Sequence, residues 1–262
     1  MPSSSAKSYT DLSIEDIIDQ CRNPTRECID NSGKAEIVSF GNVVIKHGKV
    51  SAEEIQNQIH AQALLDPAIV RVPRIYSHFS VNGTDYVVMD RICGEKKEVV
   101  RDQDTVDRIA RIVTHMHNFT SNTPGPVNTG VYSGPLWSED DQVTLTTKSS
   151  LESYVRSRLK RQSNKFTIAV TPLVFTHGDI ALRNLIFAEK EIWLLDWEFA
   201  GYFPRSAEIA ALRLGVGNCG TDLAFHQAIE AAILRERPLS SRESEQVACW
   251  LELAVNHFRF YW

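Results

Sequence analysis

The sequence predicts an α+β fold in two parts: a small antiparallel sheet with one helix over residues 1–89, and a larger, mainly helical region over 90–262. Three observations lead there. Runs of β-branched and aromatic residues, joined by turn dipeptides, crowd the first third of the chain. Beyond "MDRICGE" apolar residues recur at helical spacing, and the chain closes on three successive helical stretches. Between them, "FTHGDIALRNLIFAEKEIWLLDWEF", residues 175–199, sets an unusual number of polar side chains among short apolar runs.

Taken in order, "MPSSSAKSYTDLS" is polar and is expected to be frayed, and Ser13 ahead of "IEDIIDQC" has the form of an N-cap with acids in the first turn. "AEIVSFGNVVIKHG" predicts two strands with a tight turn at Gly41-Asn42, the second strand ending on Lys46. Ser51 opens a helix, "SAEEIQNQIHAQALL", whose Ile55, Ile59 and Ala63 are expected on its buried face, and Asp66-Pro67 closes it. "VRVPRIYSHF" and "DYVVMDRI" predict a second strand pair around Asn82-Gly83. "TVDRIARIVTHMHNF" and "SLESYVRSRLKRQ" predict helices either side of a Gly- and Pro-rich loop, "TPGPVNTGVYSGPLW". "SAEIAALRLG", "TDLAFHQAIEAAILRER" and "SRESEQVACWLELAVNHF" predict the last three.

Composition removes several classes of function. A formal charge of −5 argues against a general nucleic-acid binder, which must neutralise phosphates. No stretch is long and apolar enough to cross a bilayer, and no secretory leader is visible, so a cytoplasmic protein is expected. Cys21, Cys28, Cys93, Cys219 and Cys249 are odd in number and scattered, without a C-x-x-C pair. Free thiols in a reducing compartment follow.

"PLVFTHGD" and "EIWLLDWEF" predict short strands that each deliver an aspartate, with "NLIF" beginning another between them. Carboxylates gathered at strand ends suit a divalent metal, because Mg²⁺ takes few protein oxygens and leaves the rest to water and phosphate. Asp179, Asn184 and Asp196 supply those oxygens, although turn and capping roles would use the same residue types.

"HGDIALRN", followed twelve residues after Asn184 by "DW", resembles the catalytic loop and metal-binding aspartate of the aminoglycoside phosphotransferase family, relatives of protein and choline kinases. "VVIK" ending on Lys46 resembles the third-strand lysine, and "YVVMDRICGE" the hinge between lobes. "GPVNTGVYSGPLW" and "DWEFAGYFP" resemble fungal members. The resemblance spans roughly residues 30–210. It implies a two-lobed protein-kinase-like fold and an ATP- and Mg²⁺-dependent transfer of phosphate to a hydroxyl of a small molecule, with amine-bearing molecules among the candidate acceptors. It also implies that Asp179 orients the acceptor and takes its proton, that Asn184 and Asp196 hold Mg²⁺, and that Lys46 meets the nucleotide phosphates, fixed by Glu54 rather than Glu53. Adenine would meet the backbone near Asp90 and Ile92, with Met89 beside it. His177 would hold the loop in shape.

Glu198, Glu208 and Trp197 are candidates for binding the acceptor; either glutamate could instead cap a helix or pair with Arg205 or Arg213. The phosphate-covering hairpin is represented only by "DNSGKAEIVSFGN", with Gly33 and Gly41 and no G-x-G-x-x-G. A formal G-x-G-x-x-G, Gly215, Gly217 and Gly220, follows a helix instead of a strand and predicts a helix-helix turn. Arg156, Arg158, Lys160 and Arg161 predict a solvated helix face, and His115 and His117 lack the partners of a metal site. The alternative function is a kinase-like protein without phosphotransfer, serving as a binding module or turned to another group transfer.

Overall fold

A computed structural model describes residues 12–31, 34–128, 130–137, 143–160, 166–215 and 223–259. The start of the chain, Gly33, Arg161, Cys219, and Gly217 with Gly220 lie outside the described residues. The first part is a five-stranded antiparallel sheet in the order β1-β2-β3-β5-β4, built from β1 (Cys28–Asp30), β2 (Ala35–Phe40), β3 (Val43–Gly48), β4 (Ile75–Val81) and β5 (Thr84–Asp90). The turn at Gly41 has φ 58°, and that at Asn82-Gly83 has φ 52° and 77°, the left-handed backbone that tight hairpins need and that Asn and Gly tolerate. Lys46 does not end its strand; β3 continues to Gly48, because the whole run stays paired with β2 and β5.

Alternation along β3 and β5 divides the sheet into two faces. On one, Val43, Ile45, Tyr86 and Val88 pack against Ile17, Ile18 and Cys21 of α1 (Ile14–Arg22), whose expected N-cap Ser13 makes a capping box with Asp16. On the other, Val87 meets Val50 and Ile55, and Lys46 stands directly across from Val87. That face is covered by α2 (Ala52–Leu64), capped by Ser51.

The buried side of α2 differs from the expected apolar stripe. Ile59 is 40% exposed and Ala63 is exposed, while Glu54, Ile55, Asn57, Gln58 and Ala61 are buried. The physical reason is that this face turns toward the polar centre of the molecule, where it makes ion-pair and hydrogen-bond contacts.

The second part packs α3 (Gln103–Met116), α4 (Lys148–Arg158), α5 (Arg205–Gly215), α6 (Leu223–Glu236) and α7 (Ser241–Arg259) around two small sheets. One has the order β10-β7-β6, from β6 (Thr120–Ser121), β7 (Leu173–Thr176) and β10 (Gly201–Pro204); the other is the hairpin β8 (Leu185–Ala188) and β9 (Glu191–Leu194). The main core lies here, around Trp197, Trp250, Phe166 and Phe175, all fully buried. Two backbone clasps join this part to the sheet: Arg71 pairs with Ile192 and Leu194 at 2.8 and 2.9 Å, and Glu95 exchanges two bonds with Phe187 at 2.8 and 2.9 Å. Cys21, Cys28, Cys93 and Cys249 are free thiols. No described helix is long and apolar enough to cross a membrane.

Candidate active site

Strand β7 is buried at all four positions, and its end carries the chain to His177, Gly178 and Asp179. Gly178 has φ 81°, and a Cβ there would meet the carbonyl oxygen of Phe199 at 2.8 Å, so only glycine fits. The loop then makes a short 3-10 turn, 182–184, which ends on Asn184. Both hydrogens of the Asn184 amide go to Asp179, one to its carbonyl oxygen at 2.9 Å and one to Oδ2 at 2.8 Å. Asn184 Oδ1 therefore remains without a hydrogen-bond partner among the described residues, an oxygen available to a cation.

Asp196 follows β9 and is fixed to this loop through its neighbour: Leu195 N–H donates to the Asn184 carbonyl at 2.9 Å, and His177 Nε2–H donates to the Leu195 carbonyl at 3.0 Å. Asp196 itself has φ 64°, a left-handed backbone that aspartate tolerates at some strain, as residues at functional sites often do. His177 is fully buried, its ring 4.8 Å from that of Trp197, and its Nδ1 accepts the Asp179 N–H at 3.2 Å. Burial holds the imidazole below its ordinary pKa, so it is neutral and serves as a strut between the two aspartate segments.

Across from these groups, Lys46 Nζ meets Glu54 Oε1 at 2.5 Å, with the lysine side chain 19% exposed. Glu54, and not Glu53, is the partner. Burial alone would lower the Lys46 ammonium, but Glu54, then Asp196 and Glu198, reverse that and hold it above the ordinary lysine value. The same helix reaches the Asp196 segment through Asn57, whose Nδ2 donates to the Trp197 and Ala200 carbonyls at 3.0 and 2.8 Å while Oδ1 accepts Val127 N–H at 2.9 Å. One helix thus positions the lysine and fastens the second aspartate.

Met89 sits across from Val44 on the sheet face that bears Lys46, and its sulfur takes the Gln58 amide at 3.6 Å. Asp90 is largely spent within the sheet: its N–H goes to the Arg74 carbonyl, and its carboxylate accepts Arg74 N–H and the Tyr76 hydroxyl. Ile92 follows, half-buried.

Two expected acceptor contacts are corrected. Trp197 is fully buried, stacked on Phe175 with its indole N–H on the Leu194 carbonyl at 3.2 Å, so it is core and not pocket. Glu208 is 1% exposed and accepts the N–H groups of His177 at 2.7 Å and Gly178 at 3.2 Å. Burial pushes its carboxyl up to about 7 although these two donors oppose the rise. It holds the backbone of the loop at His177 and Gly178. Glu198 stays half-buried, within electrostatic reach of Lys46.

Sequence patterns missed Asn57, hidden in a stretch read as an ordinary amphipathic helix, and Arg183. The latter lies inside the quoted loop: its Nη2 donates to both Asp179 oxygens at 2.5 and 2.6 Å. An i,i+4 spacing of opposite charges was the available signal. His115 Nε2 accepts Asp66 N–H, and Arg156 and Arg158 are occupied by Glu152 and the Tyr154 ring. Among the described residues no group of three or more His, Cys, Asp or Glu could hold a metal. Asn184 with Asp196 fits Mg²⁺ nonetheless, since that ion is commonly bound by one or two carboxylates together with substrate phosphates.

Known proteins give the arrangement its context. No curated protein matches the chain in sequence. Among solved structures, a thermostable mutant of aminoglycoside phosphotransferase APH(4)-Ia in ternary complex with AMP-PNP and hygromycin B superposes with a TM-score of 0.63 at 12% identity, over 91% of this chain and 86% of that one. A microcompartment-associated aminopropanol kinase gives 0.55 at 15% identity, over 89% and 84%. An aminoglycoside-3'-phosphotransferase of type VIII gives 0.55 at 13%, over 93% and 98%. These likenesses establish the two-lobed kinase-like fold. The defining sequence pattern of the phosphotransferase enzyme family matches residues 37–248, from the second strand of the sheet into the last helix. With most of its length covered by that match, the chain belongs to the phosphotransferase enzyme family.

Proposed function

We propose that the protein is an ATP- and Mg²⁺-dependent phosphotransferase that acts on a hydroxyl group of a small molecule. The observation that carries this is the meeting of two fixed assemblies, the Lys46–Glu54 pair and the Asp179–Asn184 loop, through Asp196. Phosphoryl transfer asks a protein mainly for positioning and charge neutralisation, and these residues are arranged for both.

In this account Lys46 binds the α and β phosphates, and Glu54 keeps its ammonium charged and aimed. Asn184 Oδ1 and the Asp196 carboxylate would hold Mg²⁺, which would supply positive charge against the phosphates of the nucleotide. Asp179 orients the acceptor hydroxyl and takes its proton as the new phosphorus–oxygen bond forms. Met89 and the backbone after Asp90 line the adenine side. The "GPVNTGVYSGPLW" and "DWEFAGYFP" segments support a place among fungal members of the family, and the scattered free cysteines support a reducing, cytoplasmic setting.

The test is Mg²⁺-dependent ADP release from ATP across a panel of hydroxy compounds, run beside Asp179→Asn. Acceleration by at least one acceptor, lost in the variant, supports the proposal. MgATP binding without accelerated ADP release in either protein would favour the binding-module alternative.

A further inference from the structure

The Gly- and Pro-rich loop after α3 has no part in the site as described so far, yet its residues 125–128 and 130–134 lie against the segment that carries Asp196. Gly125 exchanges two backbone hydrogen bonds with Tyr202, at 3.0 and 2.8 Å. The Ser133 hydroxyl donates to the Glu198 carbonyl at 3.3 Å. Gly134, with φ 107°, is so close to Phe199 that a Cβ there would meet the ring at 2.8 Å. A Cβ on Gly178 would meet the Phe199 carbonyl oxygen at the same distance. One residue, Phe199, therefore separates this loop from the chain that bears Asp179.

A further contact runs through a side chain of α2. Asn57 is fully buried, and both its amide hydrogens and its oxygen are used, on partners 140, 143 and 70 residues away: the Trp197 and Ala200 carbonyls and the Val127 N–H. The Trp197 carbonyl also accepts Ala200 N–H at 3.2 Å, so Asn57 closes the turn directly after Asp196. It stands one helical turn beyond Glu54, the partner of Lys46. The amide is planar, which fixes the position of its oxygen relative to its nitrogen. Letting go of any one partner leaves buried polar groups unsatisfied, so the loop, the Asp196 turn and α2 are held together or released together.

We propose that Asn57 is a positioning residue that couples the loop to the nucleotide site, so that MgATP, by fixing the Asp196 turn, also fixes the loop beside Asp179. The inference rests on the phosphotransferase function proposed above. Asn57 touches no reacting atom in this account and acts only through Trp197, Ala200 and Val127. The coupling is reciprocal: anything that holds the loop, a bound acceptor included, tightens nucleotide binding by the same factor.

Hydrogen exchange in wild type and Asn57→Ala, with and without saturating MgADP, tests this, with MgADP binding followed by calorimetric titration. In wild type MgADP is expected to slow exchange several-fold in the Asp196 segment and in the loop alike. In Asn57→Ala, saturating MgADP should still slow the Asp196 segment and leave the loop unchanged. A wild-type loop that exchanges equally with and without bound MgADP overturns the proposal, and this arm needs no variant to fold. A loop slowed equally in Asn57→Ala overturns it too. Val127→Pro removes the N–H that Asn57 Oδ1 accepts. It is expected to weaken MgADP binding roughly tenfold at fixed folded fraction, and to add little when Asn57 is already alanine. Wild-type affinity in Val127→Pro, or a fully additive loss in the double variant, overturns the coupling. Bound MgADP with an unresponsive loop removes this inference alone, whereas no MgADP binding removes it together with the phosphotransferase function.

Discussion

Helices α2 and α3 are nearly equal in length, 13 and 14 residues, yet they are buried for different reasons. The inward face of α3 is Val106, Ile109, Ala110, Ile112, Val113 and Met116, an apolar stripe at helical spacing that fills the main core. The inward face of α2 carries Glu54, Asn57 and Gln58 beside Ile55 and Ala61, and leaves Ile59 to solvent. Burying polar groups is tolerated only where each finds a partner. Here Glu54 has Lys46, Asn57 has the Trp197 and Ala200 carbonyls and Val127 N–H, and Gln58 has the Pro73 carbonyl. The contrast separates a helix that contributes stability from one that contributes position, and substitutions should divide the same way.

The largest effect is expected at the group that α2 helps to position others against. Asp179→Ala should lower phosphotransfer by on the order of 10² to 10⁴, the range for a positioned acid or base, with little change in melting temperature. Steady-state ADP release beside a melting curve checks both halves. The opposite profile is expected for α3: Ile109→Ala, at a fully buried position, should cost about 3 kcal/mol in denaturant unfolding while activity per folded molecule is kept. Equal loss of activity would mean that α3 is not merely core.

Asn57→Ala lies between the two. It leaves two carbonyls and one N–H without their side-chain partner, which should cost about 1–3 kcal/mol, and it loosens the segment that bears Asp196. Weaker MgATP binding at fixed folded fraction is the distinguishing sign, measured by calorimetric titration.

A further effect is a pH dependence at the loop that Glu208 holds. Glu208 is held at about 7, against the usual 4.5, chiefly by burial. Between those values the folded chain binds more protons than the unfolded one, so the stabilising contribution is complete below about pH 4.5 and is lost as pH rises through 7. Glu208→Gln removes that slope. Melting temperatures of the two proteins should therefore move relative to each other across this interval, the variant gaining as pH rises; parallel curves would show that Glu208 does not titrate there.

The legible parts of the chain were those with local signals. Ser13 and Ser51 marked helix starts, Gly41-Asn42 and Asn82-Gly83 marked hairpins, and α3 announced its core face, because caps, turns and long apolar periods are decided within a few residues. The strands β1, β6 and β10 left no such trace: they are two to four residues long, and pairing across the sheet, not their own pattern, makes them strands. The site divides similarly. Asp179, Asn184 and Asp196 carry their spacing in the sequence, and Lys46 its strand. The partners of Glu208 lie 31 and 30 residues upstream and are backbone N–H groups, which have no letter in a sequence. Asn57 was lost to a misplaced helical stripe: Ile55 and Ile59 suggested a face, but the tertiary demand for polar partners rotated the buried side away from Ile59.

The central claim is that the polar face of α2 and the loop from His177 to Asp196 form one nucleotide site. It is tested most directly by thermal melting of wild type and Asp196→Asn with and without MgATP. At a hundred times its dissociation constant MgATP should add about 2.7 kcal/mol to the wild type. The variant should lose most of that gain. No stabilisation of the wild type, or an equal gain in Asp196→Asn, would contradict the account.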